Sequence, residues 1–77
     1  MEEELRQIVS EVCGIASDFD RTADLYFTLG VPSMKAMLLL MALEERFGMQ
    51  IPDSQFVEAV SLEKLTALLQ GLQNGAA

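Results

Sequence analysis

LGVPSMKAMLLLMALEERFGMQIPD, residues 29–53, is the stretch that decides the fold. Its centre predicts a helix from about Ser33 to Phe47, because apolar residues recur there at helical spacing. Gly48 is the expected left-handed residue just past the end of this helix, and Pro52 prevents a simple continuation. The stretch therefore supplies one long helix with a defined end.

The apolar residues of this helix fall on two opposite faces when each residue adds about 100° of rotation. One face comprises Ala36, Leu39, Leu40, Leu43 and Phe47. The opposite face comprises Met34, Leu38, Met41 and Glu45. One apolar face packs into a core, whereas a second apolar face requires a partner.

A first helix is predicted from Glu2 to about Ala16, where apolar residues again recur at helical spacing. Its stripe comprises Leu5, Ile8, Val9, Val12 and Ala16. The segment from Ser17 to Pro32 then breaks the helical period, yet it is rich in apolar residues. We expect this long loop to fold back over the core, because so many apolar side chains need burial.

The carboxyl-terminal third predicts a short helical turn and a longer last helix. Asp53 or Ser54 caps the short turn, which runs to about Ala59, and Ser61 caps the last helix. The leucine stripe of the last helix comprises Leu62, Leu65, Leu68, Leu69 and Leu72. The predicted fraying end and tail comprise Gly71 and residues 74–77.

Length and composition predict one small all-α domain over residues 1–77. Half of the residues are apolar, and glycine and proline are few, which favours aliphatic packing between helices. Three longer helices and one short helix must share a thin core, since a chain of this size buries only about 60–65% of its unfolded surface. The predicted architecture is a four-helix bundle.

The net charge of −7 excludes some classes of partner. It repels nucleic acid and anionic membrane surfaces, so basic patches on proteins are the expected partners. The longest apolar run, Met37 to Leu43, is far too short to span a bilayer, and the amino terminus is acidic where a secretory signal is basic. We expect a cytoplasmic, monomeric protein without a membrane span.

The residues that could support catalysis or metal binding form no adequate set. The chain has no histidine, and Lys35 lies about 200° from Ser33 around a helix, so Ser33 lacks a general base. Asp18, Asp20 and Asp24 could offer carboxylates to a cation, but their loop lacks the glycine and the glutamate that a calcium-binding loop requires. Cys13 is the only cysteine and is expected to fill the core. We predict neither a catalytic residue nor a metal site.

Ser33 itself supports two interpretations. Its hydroxyl can cap the helix, with Pro32 fixing the entering chain. Alternatively, a phosphodiester on this hydroxyl would lie near the free amides and the positive end of the helix, where an anion is stabilised.

The segments LGVPSM, MALEERFG and IPD together resemble the acyl carrier protein family. The family pattern is LG-x-D-S-L, then an acidic helix, then FG-x-x-IPD. The resemblance covers nearly the whole chain and implies a four-helix bundle with 4'-phosphopantetheine, derived from coenzyme A, attached to Ser33. Such a carrier is not an enzyme. Its arm holds acyl groups as thioesters of fatty-acid or lipid biosynthesis.

The resemblance also implies the partners. A phosphopantetheinyl transferase attaches the arm, and acyl-transfer, synthase or ligase enzymes of a lipid pathway use it. Pro32 stands where the family pattern has aspartate, while Lys35 and Leu38 occupy positions that are usually acidic. These departures predict a specialised carrier.

The same departures predict an apolar docking strip on the second helix. Met34, Leu38 and Met41 form the strip, which we expect to be partly exposed, and Glu44 and Glu45 supply rim charge for a basic partner surface. The alternative is that the chain covers these side chains itself, for example with Tyr26 and Phe27.

Two other functions remain open at this point. An unmodified helical interaction module would keep the bundle and lose the arm, and Pro32 favours this alternative. A peptidyl or aminoacyl carrier would share the bundle and the serine, but the typical GG-x-S pattern is absent here.

Overall fold

The computed structural model describes residues 1–75, which form four helices and no strand. The helices are α1 (Glu2–Cys13), α2 (Met34–Phe47), α3 (Asp53–Phe56) and α4 (Leu62–Gln73). Three are long and one is short, so the predicted all-α four-helix architecture is confirmed. No helix within these residues has the length and apolar character needed to cross a membrane.

The core lies where α1 packs against α2 and α4, with α3 packed against α4. The fully buried side chains are Leu5, Val9, Leu25, Leu39, Leu43, Leu62, Leu65 and Leu69. The predicted inner face of α2 is confirmed, because Leu39, Leu40 and Leu43 are buried while Ala36 and Phe47 are half-buried against the core. Aliphatic side chains thus supply most of the burial that stabilises the bundle.

Helix α1 ends earlier than its apolar spacing predicts. The prediction of about Ala16 is wrong, since Gly14 has φ 70° and its N–H donates to the Ser10 carbonyl at 2.9 Å. This left-handed residue turns the chain out of the helix, as glycine does at many helix ends. Ala16 consequently lies exposed in the following loop.

Helix α3 is shorter than predicted and is not capped by either proposed side chain. Asp53 is its first residue, and extended Pro52 precedes it without a side-chain cap. The Pro52 carbonyl accepts hydrogen bonds from Gln55 and Phe56 at 3.1 and 3.0 Å. The chain leaves the helix after Phe56, and Ala59 belongs to the turn that follows.

Helix α4 follows its prediction closely. The Ser61 hydroxyl accepts a hydrogen bond from the Lys64 amide at 3.2 Å, which confirms the predicted cap. The leucine stripe faces inward, with Leu68 and Leu72 only partly buried. The expected fraying at Gly71 is wrong, because the helix continues to Gln73. Of the predicted tail, Ala76 and Ala77 lie outside the described residues.

The long loop between α1 and α2 returns over the core only in part. Its anchors Phe19, Leu25 and Val31 are buried, as predicted. Arg6 holds the first anchor, because its guanidinium lies 4.7 Å from the centre of the Phe19 ring and donates to the Phe19 carbonyl. Phe27, in contrast, is 92% exposed. The loop is therefore fixed at both ends and presents an aromatic side chain between them.

Arg21 connects this loop to both terminal helices. Its guanidinium donates two hydrogen bonds to the Glu2 carboxylate, at 2.8 and 2.9 Å, and one to Glu63 at 3.0 Å. Its carbonyl also accepts from the Glu63 amide at 2.9 Å. The Arg21 side-chain contacts lower the pKa of Glu2.

The lowered pKa makes a pH-dependent contribution to stability. A carboxylate with a depressed folded-state pKa stabilises the protein above its unfolded pKa, about 4.3 for glutamate, and loses this effect as pH falls through the folded value. Glu2→Gln should therefore be less stable than wild type at pH 7, and the difference should begin to narrow at about pH 4.3 and close only below the lowered folded-state pKa. Urea unfolding of the wild type and of Glu2→Gln between about pH 7 and pH 3 measures this difference in the free energy of unfolding. A difference that stays constant with pH would contradict the assignment.

Candidate functional site

Ser33 lies at the junction between the long loop and α2, and the loop fixes its position. Val31, two residues earlier, is buried, and its N–H donates to the Leu25 carbonyl at 2.9 Å. Gly30 takes φ 75°, which allows the sharp turn before this anchor. Pro32 and Ser33 follow on the surface. A buried residue and a turn thus hold an exposed serine at the start of the helix.

The Ser33 hydroxyl is not used to cap α2. Ser33 has helical dihedral angles, φ −60° and ψ −27°, and makes no side-chain cap hydrogen bond. Ser61 shows the contrast, because its extended backbone (φ −132°, ψ 162°) aims its hydroxyl at the first-turn amides of α4. The capping interpretation of Ser33 is therefore wrong, and its hydroxyl is left for other chemistry.

The two serines allow a matched test of this difference. Ser61→Ala should reduce the free energy of unfolding by about 1 kcal/mol, the usual loss for an N-cap. Ser33→Ala should reduce it by much less, because no cap bond is lost. Chemical denaturation of both variants measures the difference. Equal losses would show that Ser33 caps α2 in solution.

The amino end of α2 is compatible with an anion. The amides of Lys35 and Ala36 donate to the carbonyls of Pro32 and Ser33, at 2.9 and 3.0 Å. This leaves the Ser33 and Met34 amides without a backbone acceptor within residues 1–75. The first turn contains no acidic residue. A phosphate on Ser33 would meet two amides and the positive end of the helix.

An open groove of about 230 Å³ begins at Ser33 and runs between α2 and α3. Its walls are mainly apolar, and the lining residues are Ser33, Ala36, Met37, Leu40, Asp53, Phe56 and Val57. Phe56 and Leu40 are buried at its base, while Met37 and Val57 are exposed at its rim. A chain attached at Ser33 would find an apolar surface directly beside it.

The predicted docking strip is exposed. Met34, Leu38 and Met41 are 78%, 51% and 58% exposed, so neither Phe27 nor another segment of residues 1–75 covers them. Sequence reasoning missed Met37, which is 61% exposed and lies on the same side of α2. Its spacing of three residues from Met34 was the available signal.

The two predicted rim carboxylates differ in the structure. Glu44 is half-buried, and one of its oxygens accepts a hydrogen bond from the Ile51 amide at 2.9 Å. Glu45 is exposed on the outer side of α2. Glu44 therefore contributes to the turn after α2, and Glu45 is the carboxylate that faces solvent.

The remaining candidates are structural. The side chain of Asp20 accepts from Thr22, and that of Asp24 accepts from the amides of Tyr26 and Phe27 at 2.9 and 2.8 Å. These carboxylates build loop turns, and within residues 1–75 no cluster of metal-ligating side chains occurs. Cys13 is buried, as predicted, and burial raises the pKa of its thiol.

Comparisons with known proteins agree with this geometry. A sequence model of the family described as "Phosphopantetheine attachment site" matches residues 3–69. The acyl carrier protein of Campylobacter hominis is 34% identical over 71 residues, which cover 91% of this chain and 90% of the relative. Members of this family are carriers rather than catalysts, and their prosthetic group is covalently attached 4'-phosphopantetheine. The chain belongs to the acyl carrier protein family.

Proposed function

We propose that this chain carries 4'-phosphopantetheine on Ser33 and shuttles thioester-bound acyl intermediates between enzymes of a specialised fatty-acid or lipid pathway. The observation that carries the proposal is the Ser33 hydroxyl, which is exposed, makes no cap bond and stands at the mouth of an apolar groove. A hydroxyl with these properties is accessible to a transferase. A group attached to it would lie beside the apolar walls of the groove.

The residues around Ser33 fit a phosphodiester-linked arm. The amino end of α2 places positive charge beside the phosphate, and no first-turn carboxylate opposes it. When bound, the arm supplies a thiol that holds the acyl group. The protein contributes position, since a tethered thioester reaches a docked enzyme at high effective concentration.

The groove supports a slender, apolar cargo. Its side walls come from Ala36, Met37 and Val57, and none of these side chains offers a hydrogen-bond donor. Its volume of about 230 Å³ is below the roughly 300 Å³ at which pockets for drug-sized ligands begin. A linear acyl chain is therefore a better occupant than a ring system, and burial there removes apolar surface from water.

The proposed partners are a phosphopantetheinyl transferase and the acyl-transfer, synthase or ligase enzymes that use the loaded carrier. The strip of Met34, Leu38 and Met41 borders Ser33 and suits visits to several enzymes, because methionine adapts to different surfaces. Pro32 removes the carboxylate that the family pattern offers to the transferase, so transferase choice is expected to be restricted.

Incubation with coenzyme A, magnesium and a broad-specificity phosphopantetheinyl transferase tests the proposal. Intact mass spectrometry should show the addition of one phosphopantetheine to the folded chain. Transferases of several specificities are needed because Pro32 alters the attachment motif. Absence of addition with all of them, in a chain whose helical circular dichroism is intact, would favour an unmodified interaction module.

A further inference from the structure

Methionine is concentrated on one face of α2. The chain has five methionines, and Met34, Met37 and Met41 lie on this helix. Their spacing i, i+3, i+7 places the three side chains on the same face, and each is more than half exposed. Met1 and Met49 are instead partly buried and pack against the core. The exposed thioethers of the chain therefore form one row.

The methionine row lies beside Ser33. Met34 is the next residue in the sequence, and Met37 lines the groove that begins at Ser33. Met41 follows one turn further along α2. Within residues 1–75 six large apolar side chains are exposed, and the three methionines of the row are half of them. A chemical change at their sulfur atoms would therefore alter much of the exposed apolar surface, at a position next to the site.

The other sulfur atoms of the chain are protected. Cys13, the only cysteine, is buried, and burial raises the pKa of its thiol. Peroxide reacts with the thiolate form, so a buried thiol with a raised pKa reacts slowly. Core side chains restrict access to the thioethers of Met1 and Met49. An oxidant in solution would therefore meet the methionine row first.

A thioether needs only contact with peroxide in order to react. Its sulfur donates an electron pair to one oxygen of hydrogen peroxide, and an S–O bond forms as the O–O bond breaks. The proton of the transferred oxygen passes to the other oxygen, which leaves as water, so that sulfur loses two electrons and the peroxide gains them. Methionine sulfoxide reductases reverse the change with a dithiol, which becomes a disulfide while the sulfoxide oxygen leaves as water. Exposure is thus the property that selects the sulfur.

We propose that Met34, Met37 and Met41 are a modification site, at which hydrogen peroxide forms sulfoxides that make the surface beside Ser33 polar while the bundle stays folded. Methionine sulfoxide reductase restores the apolar surface, so the change is reversible. A further consequence, which alone rests on the proposed function, is that oxidation slows the loading of Ser33.

Each sulfoxide adds a strong hydrogen-bond acceptor to an apolar surface. At Met34 this acceptor would lie next to Ser33, and at Met37 it would lie on the rim of the groove. An apolar group that covers a sulfoxide must remove its water without replacing the hydrogen bonds, which is unfavourable. The oxidised surface is therefore less attractive to apolar groups.

The bundle tolerates this change because oxidation is confined to the outer face of α2. The inner face holds the helix through the buried side chains of Leu39, Leu40 and Leu43. A sulfoxide at Met49 would, in contrast, place a polar oxygen against the core and destabilise the fold. Met49 is therefore an internal reference for both access and damage.

Peptide mapping of the full-length chain without the arm tests the proposal, since the thiol of the arm would also react. Dilute hydrogen peroxide is added at neutral pH, and samples are quenched and digested with trypsin. Digestion places Met34 in the peptide 22–35, Met37 and Met41 in 36–46, and Met49 in 47–64. The rate of sulfoxide formation is measured for each peptide. The same reaction in urea gives the rates in the unfolded chain.

In the folded chain, sulfoxides should form on the methionine row about threefold or more faster than on Met49, because exposure governs access. In urea the rates should become equal. The peptide 7–21, which contains Cys13, should keep its thiol. The oxidised chain should retain its helical circular dichroism and elute earlier from a native hydrophobic-interaction column. Methionine sulfoxide reductase should reverse both the added mass and the earlier elution.

The matched control is a triple variant with Met34→Leu, Met37→Leu and Met41→Leu, which keeps the face apolar without thioethers. Peroxide should leave its elution unchanged, whereas Met49→Leu should respond as the wild type does. With a transferase that loads the reduced wild type, oxidation should slow loading about threefold or more. Peroxide should not slow loading of the triple variant relative to its own untreated rate.

Three results would overturn the proposal. These are oxidation of Met49 as fast as the methionine row in the folded chain, loss of helical circular dichroism when the row is oxidised, and unchanged elution or loading of the oxidised wild type. A reduced chain that no transferase loads would contradict the proposed function instead, and the elution then decides the present inference. If the triple variant does not fold, each single variant should show a correspondingly smaller shift in elution.

Discussion

Replacing Leu43 by alanine is expected to lower the free energy of unfolding by about 2–5 kcal/mol. Leu43 is fully buried on the inner face of α2, where this helix packs against α1. The substitution removes buried methyl groups and leaves a cavity between helices that relax only partly. A domain of this size has a total stability of about 4–12 kcal/mol, so the variant should melt at a much lower temperature.

Leu38→Ala is the matched control on the same helix. Leu38 is 51% exposed, so the same loss of side chain should lower the free energy of unfolding by about 1 kcal/mol or less. Urea denaturation followed by circular dichroism compares the two variants. Similar losses would show that the outer face of α2 is covered in solution, which would remove the basis for a docking surface.

Ser33→Ala should abolish attachment of phosphopantetheine while leaving the fold intact. The hydroxyl is the acceptor in the proposed reaction, and alanine has no atom to replace it. The stability should hardly change, because Ser33 makes no cap hydrogen bond. Transferase reactions on wild type and variant, followed by intact mass, measure the loss.

Ser54→Ala is the control for this loss. Ser54 is an exposed serine on α3, next to the groove residue Asp53. Its replacement should leave the added mass unchanged. Addition to Ser33→Ala, or loss of addition in Ser54→Ala, would show that the arm is attached elsewhere.

Helical spacing predicted the parts of the structure that depend on burial. The two faces of α2, the leucine stripe of α4 and the position of Gly48 agree with the structure, because each follows from periodicity or from a left-handed helix end. The site serine and the exposed strip were located by the same reasoning. The resemblance to acyl carriers added the proposed chemical role of Ser33.

Local backbone geometry accounts for what the sequence did not predict. Apolar spacing continued past Gly14, but the left-handed glycine ended α1 there. Whether a serine before a helix caps it depends on the serine's dihedral angles. The sequence does not show whether the backbone of Ser33 is extended, as a cap requires, or helical. Phe27 is apolar, yet the turn built by Asp24 directs it to solvent. The amino-acid composition does not determine these backbone dihedral angles.

Localisation of the added mass after trypsin digestion tests the central claim most directly. Cleavage after Arg21 and Lys35 releases a peptide of residues 22–35, in which Ser33 is the only serine. The account predicts that this peptide carries phosphopantetheine and that fragmentation assigns it to Ser33 rather than to Thr22 or Thr28. An unmodified 22–35 peptide, with the added mass on any other peptide, would contradict it.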